Sequence, residues 1–316
     1  MKKKSFVWSC VVMTFFTACQ QAEVVNQEAE HLRMSIAASI NDLNGNFHSR
    51  YVGTDPSNVV FQNKDEIGVF MDDNPAVKWT YDGVEWGAGN VQYWPDKTNT
   101  HDFYAFYPYE ETVSRESVPM PSLLFQNGTI ESLSACDFLV AAVSQSFKDG
   151  SVVNFSDENS FRHVSSLLKL TFKGNEDLTS SVLKNITVEG AGIVASTKYS
   201  FENDEVTVLS DEEANLLDVP LSHEMDGKDA TFFFILNEKT DLSSMVTLNV
   251  QYDTDGKSYV ARMENFAGNV FAGGMCQSYT ITVKDRSLVI SGSSITPWGV
   301  GESLDDIIIN GEEIAE

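Results

Sequence analysis

The chain is poor in positive charge and in cysteine, and beyond its first residues it has no long apolar span. Its 316 residues carry 21 Lys and Arg against 46 Asp and Glu, a formal net charge of −25. A surface this acidic repels phosphate backbones and anionic headgroups, which excludes nucleic acid as a partner on electrostatic grounds. No later stretch approaches the roughly 18 consecutive apolar residues of a membrane-crossing helix, so none is predicted. The five histidines, His31, His48, His101, His163 and His223, fall at spacings that match no zinc or metalloprotease pattern. Nucleophile elbows, Gly-rich phosphate loops and Cys/His signatures are also missing. The expectation is a non-enzyme with no catalytic residue, metal or cofactor.

What is present begins at the N-terminus. Lys2, Lys3 and Lys4 precede an apolar run from Phe6 to Phe16, and Phe16-Thr17-Ala18-Cys19 closes it with small residues before a cysteine. The run is too short to span a bilayer and reads as a lipoprotein signal peptide over residues 1–18. Cys19 then becomes the acylated N-terminus, carrying palmitate-type chains that hold the protein to a membrane. Loss of the three lysines leaves 18 basic residues against 46 acidic, a formal charge of −28. Residues 19–31 are polar and read as a tether.

The roughly 300 residues that remain suffice for two domains, each with its own core. They show little 3.6-residue periodicity. Short alternating or apolar runs separated by Gly, Asn, Asp and Pro predict an all-β protein. Strands are expected at Leu32–Ile40, Val59–Phe61, Ile67–Met71, Lys78–Tyr81, His101–Tyr107 and Asp137–Val143. A second set is expected at Ser166–Phe172, Val182–Val188, Thr197–Phe201, Thr231–Leu236, Val246–Tyr252, Ser258–Met263 and Ser278–Val283. The polar stretch Lys148–Ser160 suggests a boundary, giving domains over 32–158 and 159–316.

Several motifs together carry a family resemblance. Lys64-Asp65-Glu66-Ile67-Gly68-Val69-Phe70-Met71 is similar to a "GDEIGVY" element, with Lys64 where glycine is usual. Tyr93-Trp94-Pro95 and His101-Asp102-Phe103-Tyr104-Ala105-Phe106-Tyr107-Pro108 follow, then Asp137-Phe138-Leu139-Val140-Ala141 and Phe161-Arg162-His163-Val164-Ser165-Ser166-Leu167-Leu168-Lys169-Leu170. Gly273-Gly274-Met275-Cys276-Gln277-Ser278-Tyr279-Thr280 and Ile295-Thr296-Pro297-Trp298 complete the series. In this order they resemble the fimbrillin family of Bacteroides-type bacteria. That resemblance implies two tandem transthyretin-like (Greek-key) β-sandwich domains, export as a lipoprotein to the outer membrane, and assembly into fimbriae with other subunits. It also implies adhesion to host or bacterial surfaces, and strand exchange after a protease removes the N-terminal strand.

On this chain the removable strand falls at Leu32–Ile40, where Met34, Ile36, Ala38 and Ile40 alternate with Ser35, Ala37 and Ser39. Arg50, in a turn-rich stretch beyond it, is the candidate cleavage site; the alternative is an ordinary loop residue and a strand that stays. Asp305-Asp306-Ile307-Ile308-Ile309-Asn310 is either a donor strand or a last strand of the second sandwich.

Other features have simpler readings. Asp72-Asp73 and Asp305-Asp306 read as turns and solvated ends rather than paired catalytic acids. Asp253-Thr254-Asp255-Gly256 begins like a calcium loop, but Lys257 and Ser258 occupy positions that need a ligand and a glycine, so a hairpin turn fits better. Cys136 and Cys276 form a disulfide or remain two buried thiols. The dense aromatics Trp79, Tyr81, Trp86, Tyr93, Trp94, Phe103, Tyr104, Phe106, Tyr107 and Tyr109 read as core. Exposed and coplanar, they would instead support the alternative function of a surface glycan-binding lipoprotein.

Overall fold

The computed structural model describes residues 32–40, 59–174, 180–209, 215–240, 242, 244–284 and 287–298. Their regular structure is almost all strand, with only a few short 3-10 turns. An antiparallel six-stranded sheet occupies the first half, in the order β4 (Trp86–Ala88), β3 (Val77–Tyr81), β2 (Glu66–Met71), β5 (Thr100–Tyr107), β7 (Leu139–Ser146) and β9 (Arg162–His163). Two further strands, β1 (Ser35–Ala38) and β8 (Val152–Phe155), pair with each other in parallel.

Strand alternation gives the six-stranded sheet two apolar faces. Ile67, Val69, Trp79, Phe103, Ala105, Leu139 and Ala141 enter the main core, which also takes Trp94, Val153, Phe155 and Phe161. Phe70, Phe106 and Val140 face the other way and form a second cluster with Val118, Phe138, Val164 and Tyr199. That second face is covered by a small sheet in which β12 (Thr197–Ser200) lies between β13 (Glu205–Val208) and β6 (Val118–Pro119). A hairpin from the second half of the chain therefore closes the core of the first.

The second half adds an eight-stranded sheet. Four strands run β14 (Leu216–Glu224), β11 (Val182–Glu189), β16 (Thr247–Thr254) and β17 (Lys257–Met263). The other four run β19 (Ser287–Pro297), β18 (Met275–Lys284), β10 (Ser166–Phe172) and β15 (Ala230–Leu236). Between the two sets only Arg262 and Ser287 pair, whereas β18 and β19 pair along their length. The eight strands thus behave as two layers folded on one another. Leu183, Ile186, Val188, Leu248 and Val250 of one layer share a buried cluster with Leu168, Leu170, Phe172, Phe234 and Ile281 of the other.

Most predicted strands are present within a residue or two of the expected bounds. Val59–Phe61 is a correction: both residues are buried, but the segment joins no ladder, and Asp65 Oδ2 accepts the Gln62 N–H at 2.7 Å. These side chains pack into the core from coil. The Asp-Gly turn is as expected, since Asp255 and Gly256 both take positive φ between the paired Thr254 and Lys257. Cys136 and Cys276 are buried and are not joined by a disulfide. No helix among the described residues is long and apolar enough to cross a membrane.

Candidate strand-exchange site

In its slot, strand β1 pairs with β8 along one edge, and the residues just before it have backbone partners on the other. On one side it runs parallel to β8 in the register Ser35 to Val152 through Ala38 to Phe155. Ser39 N–H donates to Phe155 O at 2.9 Å, and Phe161 N–H donates to Ser39 O at 2.8 Å. On the other side Met34 N–H donates to Gln92 O, and Trp94 N–H donates to Leu32 O, each at 2.9 Å. The Trp94 indole N–H in turn donates to Ser151 O at 2.9 Å, joining the two walls beneath the strand.

From Met34 to Ile36 the side chains alternate as the sequence predicts, whereas Ala37, Ala38 and Ser39 are all half-buried. Met34, Ile36 and Ile40 are 7, 6 and 4% exposed, whereas Ser35 faces solvent. Burying each of the three large side chains contributes about 1.5–3 kcal/mol, roughly 5–9 kcal/mol together before ordering entropy is offset. A segment only nine residues long is held by a substantial share of a typical domain's net stability. Its departure would bare apolar pockets and leave the facing backbone groups of β8, Gln92 and Trp94 unpaired.

One wall of this slot was hard to read in the sequence. The polar stretch Lys148–Ser160 contains β8, whose Val153 and Phe155 are completely buried. The stretch is organised by Asp149, whose carboxylate accepts from Ser146 N–H at 3.0 Å and Ser146 Oγ at 2.8 Å. These bonds hold the Asp149 carboxyl below its ordinary range. The only sequence signal for β8 was the short run Val152-Val153-Asn154-Phe155.

Cys19, Arg50 and residues 305–310 lie outside the described residues, so the slot is the one part of the predicted exchange apparatus with visible geometry. The aromatic cluster is mainly core: Trp79, Trp86, Trp94, Phe103, Phe106 and Tyr107 are buried, and of the ten only Tyr93, at 47%, is largely exposed. It forms no coplanar exposed platform. The described histidines are separated too. His101 Nδ1 lies 2.7 Å from Asp72 Oδ2, and buried His163 Nδ1 lies 2.9 Å from Asp137 Oδ1. Among the described residues no group of three His, Cys, Asp or Glu could hold a metal ion.

Sequence reasoning also missed a second contact of the chain's final described strand. The Trp298 ring stacks on His163 with centroids 3.8 Å apart and planes 7° from parallel, tying the end of β19 to the edge of the first sheet.

Comparison with known proteins agrees with this architecture. The sequence profile of a fimbrillin-like family matches residues 50–298. No curated protein matches. A candidate cell adhesion protein of Bacteroides uniformis ATCC 8492 is similar in structure, with TM-score 0.57, 19% identity, and coverage of 84% of this chain and 99% of that one. A counterpart from Bacteroides ovatus ATCC 8483 has TM-score 0.58, 18% identity, and coverage of 84% and 97%. The tip fimbrial protein Mfa3 of Porphyromonas gingivalis, with a C-terminal truncation, has TM-score 0.48, 11% identity, and coverage of 84% and 99%. The likeness to the first two shows the fold.

Proposed function

We propose, from the premise that this chain belongs to the fimbrillin-like family, that it is a structural and adhesive subunit of cell-surface fimbriae, assembled by exchange of its N-terminal strand. The observation that carries the reading is β1 with its flanks: a short strand paired with β8 along one edge, bonded to residues 92–94 through Leu32 and Met34 on the other, with Met34, Ile36 and Ile40 buried. Strand addition to such a slot uses backbone hydrogen bonds for strength and alternate side-chain pockets for specificity.

In this reading the chain is exported as a lipoprotein through Cys19 and held at the outer membrane. Cleavage after Arg50 releases residues 19–50, including the acylated Cys19 and β1, and a strand from another subunit enters the slot. The run 305–310 supplies the corresponding donor, and the two sandwich domains meet near residue 158. Its work is mechanical rather than catalytic, and its partners are other subunits together with host or bacterial surface ligands.

The test is N-terminal sequencing and intact mass of the protein from sheared surface filaments and, separately, from membranes. A filament form beginning at Tyr51 supports exchange. An acylated Cys19 form confined to membranes, with no cleaved form in filaments, overturns it and leaves an uncleaved anchor.

A further inference from the structure

The segment Phe161-Arg162-His163, at the outer edge of the first sheet, reaches both the flank of β1 and the end of β19. Phe161 N–H donates to Ser39 O at 2.8 Å, and Ile40 and Phe161 form a parallel bridge just beyond β1. The Phe161 ring is fully buried, with its centroid 5.8 Å from that of Phe155 in β8. Two residues later the His163 ring carries the Trp298 ring at 3.8 Å. Arg162 is exposed between these two buried neighbours, so Phe161 and His163 share one face of the strand.

The inner edge of this segment is lightly held. Strand β9 has only two residues, and its ladder with β7 consists of Leu139 with His163 and Val140 with Arg162. Val164 N–H adds a bond to Phe138 O at 3.1 Å. Side chains add the contact of His163 with Asp137 and those of Arg162 with Tyr199 and Asp204. On the outer edge the backbone partner of Phe161 is Ser39. A strand with so short a ladder has low local stability, and loss of the β1 flank removes one of its few backbone bonds together with the apolar neighbour Ile40.

The Trp298 contact is poised to respond. His163 Nε2 and Trp298 Nε1 are both buried with no hydrogen-bond partner among the described residues. Burying them opposes the stack, which therefore stands on the packing of the two rings. The backbone beside it leads back to the same region: Trp298 N–H donates to Gly274 O at 2.8 Å, and Gly274 N–H donates to Ser165 O at 2.9 Å. A displaced His163 ring loses the packing, and opening returns both ring nitrogens to water.

We propose that Phe161-Arg162-His163 couples the β1 slot to the C-terminal end of β19. While β1 fills its slot Trp298 is held against His163, and departure of β1 loosens it. On the reading of β1 as the exchanged strand, on which this rests, a subunit frees its own C-terminal end only after its slot has opened. Coupling between two sites is reciprocal, so loosening Trp298 loosens β1 in equal measure.

The experiment is hydrogen exchange on the purified uncleaved chain, read at the amides of Ser39, which donates to Phe155 O at 2.9 Å, and of Trp298. Ile40→Ala should speed exchange at Trp298 about tenfold or more. Trp298→Leu, which removes the stack and keeps an apolar side chain, should speed exchange at Ser39 by a similar factor. The double variant should shift the unfolding equilibrium by less than the product of the two single shifts. Val69→Ala, in the same core but away from this segment, should leave both amides within about twofold. Should Ile40→Ala fail to fold, Ile40→Val gives the same pattern with smaller factors. Exchange that rises only at the substituted end, or single shifts that multiply in full, overturns the coupling. The uncleaved chain keeps this result independent of Arg50: filaments built of uncleaved protein would overturn strand exchange and leave the coupling standing.

Discussion

The ring of Phe106 lies directly over Gly68, its partner across the β2–β5 ladder, so closely that a Cβ on Gly68 would stand 2.2 Å from two ring carbons. The glycine leaves the space that the ring fills in the second core, alongside Phe70 at a centroid distance of 5.6 Å. Gly68→Ala should therefore destabilise the protein by about 1–3 kcal/mol through overpacking. Urea unfolding checks this, and a Phe106→Leu background should recover part of the loss. Full additivity of the two changes would mean that the ring and the glycine are not coupled.

Strand β15 is an outer strand of its sheet, yet it is not left bare. The Gln126 side chain donates to Ile235 O at 2.8 Å and accepts Ile235 N–H at 2.7 Å, and Gly128 O accepts Phe233 N–H at 2.9 Å. Gln126→Ala should cost about 1–3 kcal/mol by leaving buried backbone groups unpaired. It should also raise aggregation measured by light scattering, since an uncovered edge invites another strand.

The two faces of β1 should respond unequally to charge. Ile36→Asp places a carboxylate in the buried slot and should loosen the strand, speeding amide exchange at Val152–Phe155 and proteolysis near the N-terminus. Ser35→Asp, on the solvent face, should change exchange little. Equal effects of the two substitutions would contradict the burial alternation.

Burial pushes the Cys136 thiol up from an ordinary value near 9 to about 11, with the neighbouring Asp137 charge adding to the effect. Burial likewise pushes the Tyr279 hydroxyl up from 10 to about 12. Both groups keep their protons in the folded state while the unfolded chain ionises. The sign is therefore a loss of stability as pH rises, beginning near 9 and continuing towards 12. Denaturant midpoints across this window should fall, and Cys136→Ala should flatten the first part of the decline. A midpoint independent of pH from 9 to 11 would contradict the thiol's environment.

Legibility followed the range of the interaction. Strands such as Ser166–Phe172 were visible because their own β-branched and apolar residues specify them locally. Val59–Phe61 carried the same composition yet is coil, because an apolar residue can be buried without a ladder, and composition alone does not distinguish the two. Strand β14, Leu216–Glu224, escaped because on an outer strand its apolar residues, such as Leu217 and Val219, are interleaved with exposed polar ones. Among the aromatics the sequence pointed to packing but could not say which rings remain exposed, which depends on the hairpin and slot that cover each face.

By itself the amino-acid sequence determined the all-β class, the acidic surface, the period-two pattern of Met34 to Ile40, and an ordered set of motifs that places the chain among fimbrillin-like proteins. These rest on composition and on neighbours within a few residues. The tertiary structure alone decided that a polar stretch holds the parallel partner of β1, that the β12–β13 hairpin closes the other half's core, that no disulfide joins Cys136 to Cys276, and that Trp298 rests on His163. Each of these joins residues distant along the chain, and the burial that makes such contacts favourable exists only once the whole chain has folded.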